Sequence, residues 1–220
     1  MKRLFSTNLV AILCITIGFL VAPNLSGAYP TSVNAQTIDA VTQASQSNTD
    51  WPMFHHDLTH TGYTTSAGPN TNQKAWNFTA AGGIWSSPAV ANGIVFAGTL
   101  QGHRMYALNA ITGSVLWNFT TGGMIYSSPA VANGVLYFGS NDRQIYALNA
   151  TDGRLIWNYT TGGEVHGCPS VANDVVYICS SDFKLYALNA ANGNLIWSYV
   201  TGDNVISSPA VDDGIVYFGS

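Results

Sequence analysis

The chain has 220 residues, of which only 8% are charged, with 7 basic and 11 acidic side chains. Ordinary soluble domains carry roughly 25% charge, so most of this surface must be covered by Asn, Thr, Ser and Gly. No basic patch exists, and the composition argues against nucleic acid as a partner.

The chain opens with Lys2 and Arg3 and then a mostly apolar run from Leu9 to Ala22, stopped by Pro23. The run is shorter than the ~20 residues a membrane helix needs, and it fits a secretory signal. Two small-residue cleavage sites follow, Ser26-Gly27-Ala28 and Val33-Asn34-Ala35. The second is preferred, which makes residues 1–35 the signal peptide. An uncleaved anchor is the alternative, and the one route by which the chain would meet a membrane. Cys14 lies inside the apolar run, too early for a lipoprotein cysteine. Residues 36–50 are mostly Gln, Ser, Thr, Asn and Ala and read as a flexible polar tether. Loss of Lys2 and Arg3 leaves 5 basic residues against 11 acidic ones, a net charge of −6. The expected location is extracytoplasmic, secreted or at the cell surface.

The folded part is expected over residues 51–220. It opens with Trp51-Pro52-Met53-Phe54-His55-His56-Asp57. His55, His56, Asp57 and His60 are close in sequence, but their spacing matches no closed zinc pattern. The reading is a lead-in that packs Trp51 and Phe54 on the rest of the fold, with no metal.

From Trp76 onward the chain repeats. Trp76, Trp117, Trp157 and Trp197 are spaced 41, 40 and 40 residues apart, and Pro88, Pro129, Pro169 and Pro209 keep the same steps. A fixed period near forty marks a propeller or an array. Within one period the expected strands are Ile125–Ala132, Val135–Ser140, Gln144–Ala150 and Arg154–Thr160. Asn133-Gly134 and Asp152-Gly153 supply the positive backbone angles that tight hairpins need. The unbroken apolar run Val135-Leu136-Tyr137-Phe138 implies burial on both faces, as in a blade between two other blades. Lys74–Ala80 aligns with a fourth strand, so the chain enters at an outer strand. Three full blades follow, beginning near Ile84, Ile125 and Val165, and Val205–Ser220 supplies two strands of another. The fold class is therefore all-β: a β-propeller of four-stranded antiparallel blades, partial, with about three and a half repeats. Because propellers close with roughly four to eight blades, the repeats read as incomplete at the C-terminus, and a longer chain is expected.

The stretches Ala107–Trp117, Ala147–Trp157 and Ala187–Trp197 share the pattern A-L-N-A-x-x-G-x-x-x-W. This resembles the tryptophan-docking motif of the pyrroloquinoline-quinone-like (PQQ-like) propellers, a superfamily that includes quinoprotein dehydrogenases and BamB-like assembly factors. The family pattern usually has Asp where this chain has Asn109, Asn149 and Asn189. The lead-in is similar to secreted, archaeal-type members. The resemblance implies that Trp76, Trp117, Trp157 and Trp197, with Gly113, Gly153 and Gly193, are docking residues. A buried Trp covers ~150–250 Å² and needs a partner for its N–H.

Just before each Ser-Ser-Pro, one aligned position carries Gly83, Met124, Glu164 and Asn204, and two places later come Trp85, Tyr126, His166 and Ile206. The position between them stays aliphatic, as Ile84, Ile125, Val165 and Val205. Alternation along a strand puts the two variable positions on one side. Trp85, Met124, Tyr126, Glu164 and His166 are therefore the candidate binding rim, against the plainer reading of sequence drift at a solvent-exposed edge. Counting back from the Asn173-Asp174 turn puts Cys168 opposite Cys179, and a disulfide is expected between them, with two free buried thiols as the alternative. Asn77, Asn118, Asn149 and Asn158 fit the glycosylation pattern.

The function expected is a non-catalytic extracytoplasmic scaffold that presents the rim to a protein or glycan, with no cofactor. The alternative is a quinone-dependent oxidoreductase. The resemblance implies that such enzymes hold calcium among clustered carboxylates, yet Glu164 is the sole acidic residue at the variable rim positions. No phosphate loop, nucleophile elbow or carboxylate pair appears either.

Overall fold

The computed structural model describes residues 50–64 and 69–220, together with two strand backbones, β1 (Ile12–Ile15) and β2 (Gln36–Val41). The cleavage sites and most of the expected signal and tether lie outside the described residues. No helix of the described residues is long and apolar enough to cross a membrane.

The outer strand β3 (Lys74–Ala80) precedes three four-stranded sheets. Blade 1 holds β4 (Ala89–Ala91), β5 (Ile94–Gly98), β6 (Arg104–Asn109) and β7 (Val115–Thr120). Blade 2 holds β8 (Ala130–Ala132), β9 (Val135–Gly139), β10 (Gln144–Asn149) and β11 (Leu155–Thr160). Blade 3 holds β12 (Ser170–Ala172), β13 (Val175–Ser180), β14 (Lys184–Asn189) and β15 (Leu195–Val200). β16 (Ala210–Asp212) and β17 (Ile215–Gly219) begin a further sheet, and β1 pairs parallel with β17. Each full blade is an antiparallel meander in chain order.

The first hairpin of each blade turns on two residues of positive φ: Asn92-Gly93, Asn133-Gly134 and, without glycine, Asn173-Asp174. Asn and Asp tolerate this backbone because their short polar side chains bond locally. The core lies between blades. Phe96, Met105, Phe138 and Leu148 form one cluster across blades 1 and 2, and Val176, Ile178 and Leu188 join Tyr137 and Ile145 across blades 2 and 3.

The seam between outer strands and neighbouring blades is built by the tryptophans. Trp76, Trp117 and Trp157 donate their indole N–H to the carbonyls of Ala110, Ala150 and Ala190, at 2.9, 3.0 and 2.8 Å. The indoles lie over glycines. A Cβ on Gly153 would sit 2.7 Å from Trp117 Cδ2, and Gly153 also holds φ 73°. Gly113 stands to Trp76, and Gly193 to Trp157, in the same way. Asn109, Asn149 and Asn189 accept two backbone N–H bonds each through Oδ1. The turn needs only an acceptor there, which explains why Asn serves where the family uses Asp.

Three expectations change. The inner strands are short, Ala130–Ala132 rather than Ile125–Ala132, because Pro129 lacks the N–H that would continue the ladder. Gln36–Val41, expected within a flexible tether, is instead strand β2, paired antiparallel with β3. Its register sets Ala40 opposite Trp76 with a bulge directly after, as Ala147 faces Trp157 in blade 2. β2 thus occupies a third-strand place. The Cys168–Cys179 bridge is not formed, and both cysteines are buried. The ladder stops at Ser170, and the backbone then slips by one residue. Gly167, not Cys168, ends up across from Cys179: a Cβ there would lie 3.1 Å from Cys179 Cβ. Cys168 Sγ turns toward blade 2 and accepts the Ser128 N–H at 3.2 Å. In blade 1 and the last sheet these paired places hold Ser86 with Gly98 and Ser207 with Gly219, linked by hydrogen bonds. Blade 3 reverses the pair, with Gly167 in the serine's place and Cys179 in the glycine's.

Candidate binding rim

The rim is cantilevered from the aliphatic residue that stays constant between its variable neighbours. Ile125, Val165 and Val205 are each 0% exposed. Ile125 and Val165 press on glycines of the preceding blade: a Cβ on Gly98 would lie 2.4 Å from Ile125 Cγ2, and one on Gly139 would lie 2.3 Å from Val165 Cγ1, whereas Val205 shares a buried cluster with Cys179. Backbone bonds fix the segment on both sides. Ile125 N–H donates to the Thr99 carbonyl, and Met124 accepts from Asn141 N–H; Val165 N–H donates to Ser140, and Glu164 accepts from Ser181 N–H. With the anchor buried, its two neighbours must project together.

They converge. Trp85 and Tyr126 meet edge to face with ring centroids 5.7 Å apart and planes at 74°. Tyr126 and His166 repeat the arrangement at 5.1 Å and 62°. His166 Nε2 lies 3.0 Å from Glu164 Oε2, which also accepts from Asn141 Nδ2 at 3.2 Å. Tyr126 OH reaches Met124 Sδ at 3.6 Å. All five rim residues therefore belong to one continuous strip across three blades. Trp85 is 62% exposed and Glu164's side chain 51%, so the strip is open to solvent. Ile206, at the equivalent place of the next sheet, is 61% exposed. Asn141 was legible only as a turn residue. Its role under Glu164 depends on a loop approaching from the preceding blade, which periodicity does not report.

The lead-in runs past the inner strands. Trp51 exchanges two backbone bonds of 2.7 Å with Val90, Pro52 accepts from Val131 N–H, and Leu58 accepts from Val211 N–H. His60 Nε2 lies 3.4 Å from Ser170 Oγ in β12. The lead-in therefore touches β4, β8, β12 and β16 in turn, and Met53 rather than Trp51 or Phe54 is its buried residue. Burial, then His55, pushes the His60 imidazole below its ordinary value against the pull of Asp57. Burial pushes the Asp57 carboxyl up, but bonds from the backbone and hydroxyls of Thr61 and Thr59 outweigh it and hold the group at about 2. Among the described residues no group of three His, Cys, Asp or Glu is placed to hold a metal.

Asn77, Asn118 and Asn158 occupy one register on outer strands and are exposed, although Asn158 Nδ2 bonds to Gln144. Asn149 is taken up in its turn.

Repeated blades locked by Trp on Gly define a PQQ-like β-propeller. The family model described as outer membrane protein assembly factor BamB matches residues 60–220, and the chain belongs to that family. The BamB of Moraxella catarrhalis is similar in fold, with TM-score 0.58 and 22% identity over 64% of this chain and 45% of that one. A europium-containing methanol dehydrogenase gives TM-score 0.61 and 21% identity, over 69% of this chain and 32% of the enzyme. The computationally designed Ika8 protein gives 0.60 and 14%, over 67% and 46%. At these identities the likeness is one of fold, and the chain spans less than half the length of each. A search of curated proteins gives no match.

The fold thus hosts assembly factors and enzymes alike. A quinone of the family's type carries three carboxylates and requires fixed cations and a metal at the funnel. The donor set here does not fit it. Arg104 opens β6, Lys184 opens β14 and Arg143 sits in a turn. Arg154 is paired with Asp152 at 2.8 Å on a solvent-exposed hairpin. None stands on the rim.

Proposed function

We propose that this chain is a non-catalytic, extracytoplasmic scaffold that holds a partner protein on the rim. The observation that carries this reading is the contiguous strip Trp85–Tyr126–His166, exposed at Trp85 and half-buried at Tyr126 and His166, while the alternate residues Ile125 and Val165 are fully buried. An open aromatic surface with little charge is the composition of interface cores. The family description, an assembly factor of the outer membrane, supports both the scaffold role and the location. The N-terminal apolar run supports residues 1–35 as an export signal ahead of the repeats at 51–220. The quinone-dependent oxidoreductase is the second reading, favoured by the likeness to methanol and alcohol dehydrogenases. Purified protein given pyrroloquinoline quinone, calcium and an alcohol is expected to leave a redox dye oxidised. Dye reduction above the protein-free control overturns the scaffold reading.

A further inference from the structure

The rim has a chemistry more particular than an apolar patch. Its rings stand at 74° and 62° to one another, so they form walls rather than a flat platform. A sugar ring wants a broad planar face, whereas a compact cation is held between ring faces. Beside those walls stands the one carboxylate of the strip, Glu164, steered by Asn141 and His166. The Asn141 Oδ1 atom is buried without any hydrogen-bond partner, which leaves a second acceptor next to that carboxylate. A guanidinium brings five N–H donors in a planar fork, more than an ammonium brings. The residues after the expected signal carry a net charge of −6, which draws a cationic partner and repels an acidic one.

We infer that the rim captures an arginine side chain from a basic segment of a partner protein, the guanidinium lying against Trp85 and Tyr126 and pairing with Glu164. This rests on the scaffold reading and names the chemistry of its partner. The clamp is assembled from three blades, because Trp85, Tyr126 and Glu164 come from successive repeats. Blade 1 has Gly83 where Glu164 stands, and the sheet after blade 3 has Asn204 and Ile206. The carboxylate and the ring walls therefore coincide at one place on the rim and not around it.

The test is a short blocked Gly/Ser peptide carrying two arginines, titrated into the full chain while the Trp85 indole N–H resonance is followed. Its citrulline twin has the same shape without charge. Saturable shifts are expected for the arginine peptide, with the twin about tenfold weaker. Glu164→Gln, followed by the same Trp85 resonance, and Trp85→Ala, followed by calorimetric titration, should each weaken binding about five- to tenfold while the unfolding midpoint stays unchanged, since both side chains are largely exposed. Equal binding of the two peptides, or indifference to Glu164→Gln, overturns the inference, as does a Trp85 resonance that no peptide moves. A neutral oligosaccharide or an uncharged apolar peptide that shifts Trp85 more than arginine does also overturns it, and leaves the scaffold reading standing. Dye reduction with quinone and calcium instead brings down the scaffold reading itself.

Discussion

Trp157 and Trp85 are the same residue in opposite circumstances. Trp157 lies buried over Gly193 with its N–H on the Ala190 carbonyl, and its place is filled by tryptophan in every repeat. Trp85 stands on the rim, and its equivalents are Tyr126, His166 and Ile206. At the seam, each blade must meet the same glycine turn of the next blade, so the residue cannot vary without loss of packing. At the rim, the backbone is held by the neighbouring aliphatic residue, and the side chain is released from any structural duty. One period of the repeat thus contains a position where geometry dictates identity and a position where it dictates only direction.

The sharpest break of that comparison is truncation on the seam side. Trp157→Ala removes the buried indole and leaves the Ala190 carbonyl with the Tyr137 hydroxyl as its donor, and should cost ~3–5 kcal/mol in urea unfolding. A loss under ~1 kcal/mol would mean that the seam is not what holds blades together.

Blade 3 offers a subtler probe, because it deviates from its sisters inside the core. Gly167→Ser alone pushes a side chain against Cys179, and Cys179→Gly alone opens a gap toward Val205. Together they restore the Ser–Gly pairing of blade 1. The double variant should be more stable than the sum of the single changes by ~1–2 kcal/mol, read from a double-mutant cycle. Additivity would show that the two exchanges are unrelated. Both cysteines should also react with thiol reagent only after denaturation.

The lead-in is expected to respond to acid. The carboxyl of Asp57 is held at about 2 in the folded chain, below its ordinary 3.8. As pH falls the unfolded chain takes up the proton first, so this contribution is complete above pH 3.8 and is lost as pH falls toward 2. Asp57→Asn should flatten the pH dependence of the unfolding midpoint inside that window and leave it unaltered above. An unchanged acid limb would show that the Thr59 and Thr61 bonds do not hold the lead-in.

The smallest effect should come from the rim. Trp85→Ala is expected to change stability by no more than ~0.5 kcal/mol, since an exposed side chain away from caps and packing contributes little. A large loss would move Trp85 to the seam's category and undo the contrast with Trp157.

The sequence by itself determined the class of fold and, from Lys74 onward, the order of strands and the blade to which each belongs, because a repeat writes its own alignment and every period must satisfy the same contacts. It also singled out the five rim residues, since alternation around a constant aliphatic residue is a local property of a strand. Tertiary structure alone decided three matters. The Cys168–Cys179 register failed because a proline ends the ladder and the backbone slips, an event that counting residues from a turn cannot register. The ring walls of the rim depend on the approach of successive blades, and the position of Asn141 below Glu164 depends on a loop closing over the strand start. The lead-in crosses four inner strands, three of them through backbone bonds that no side-chain pattern announces. Periodicity reports what each unit does to itself, whereas the meeting of units is set by packing.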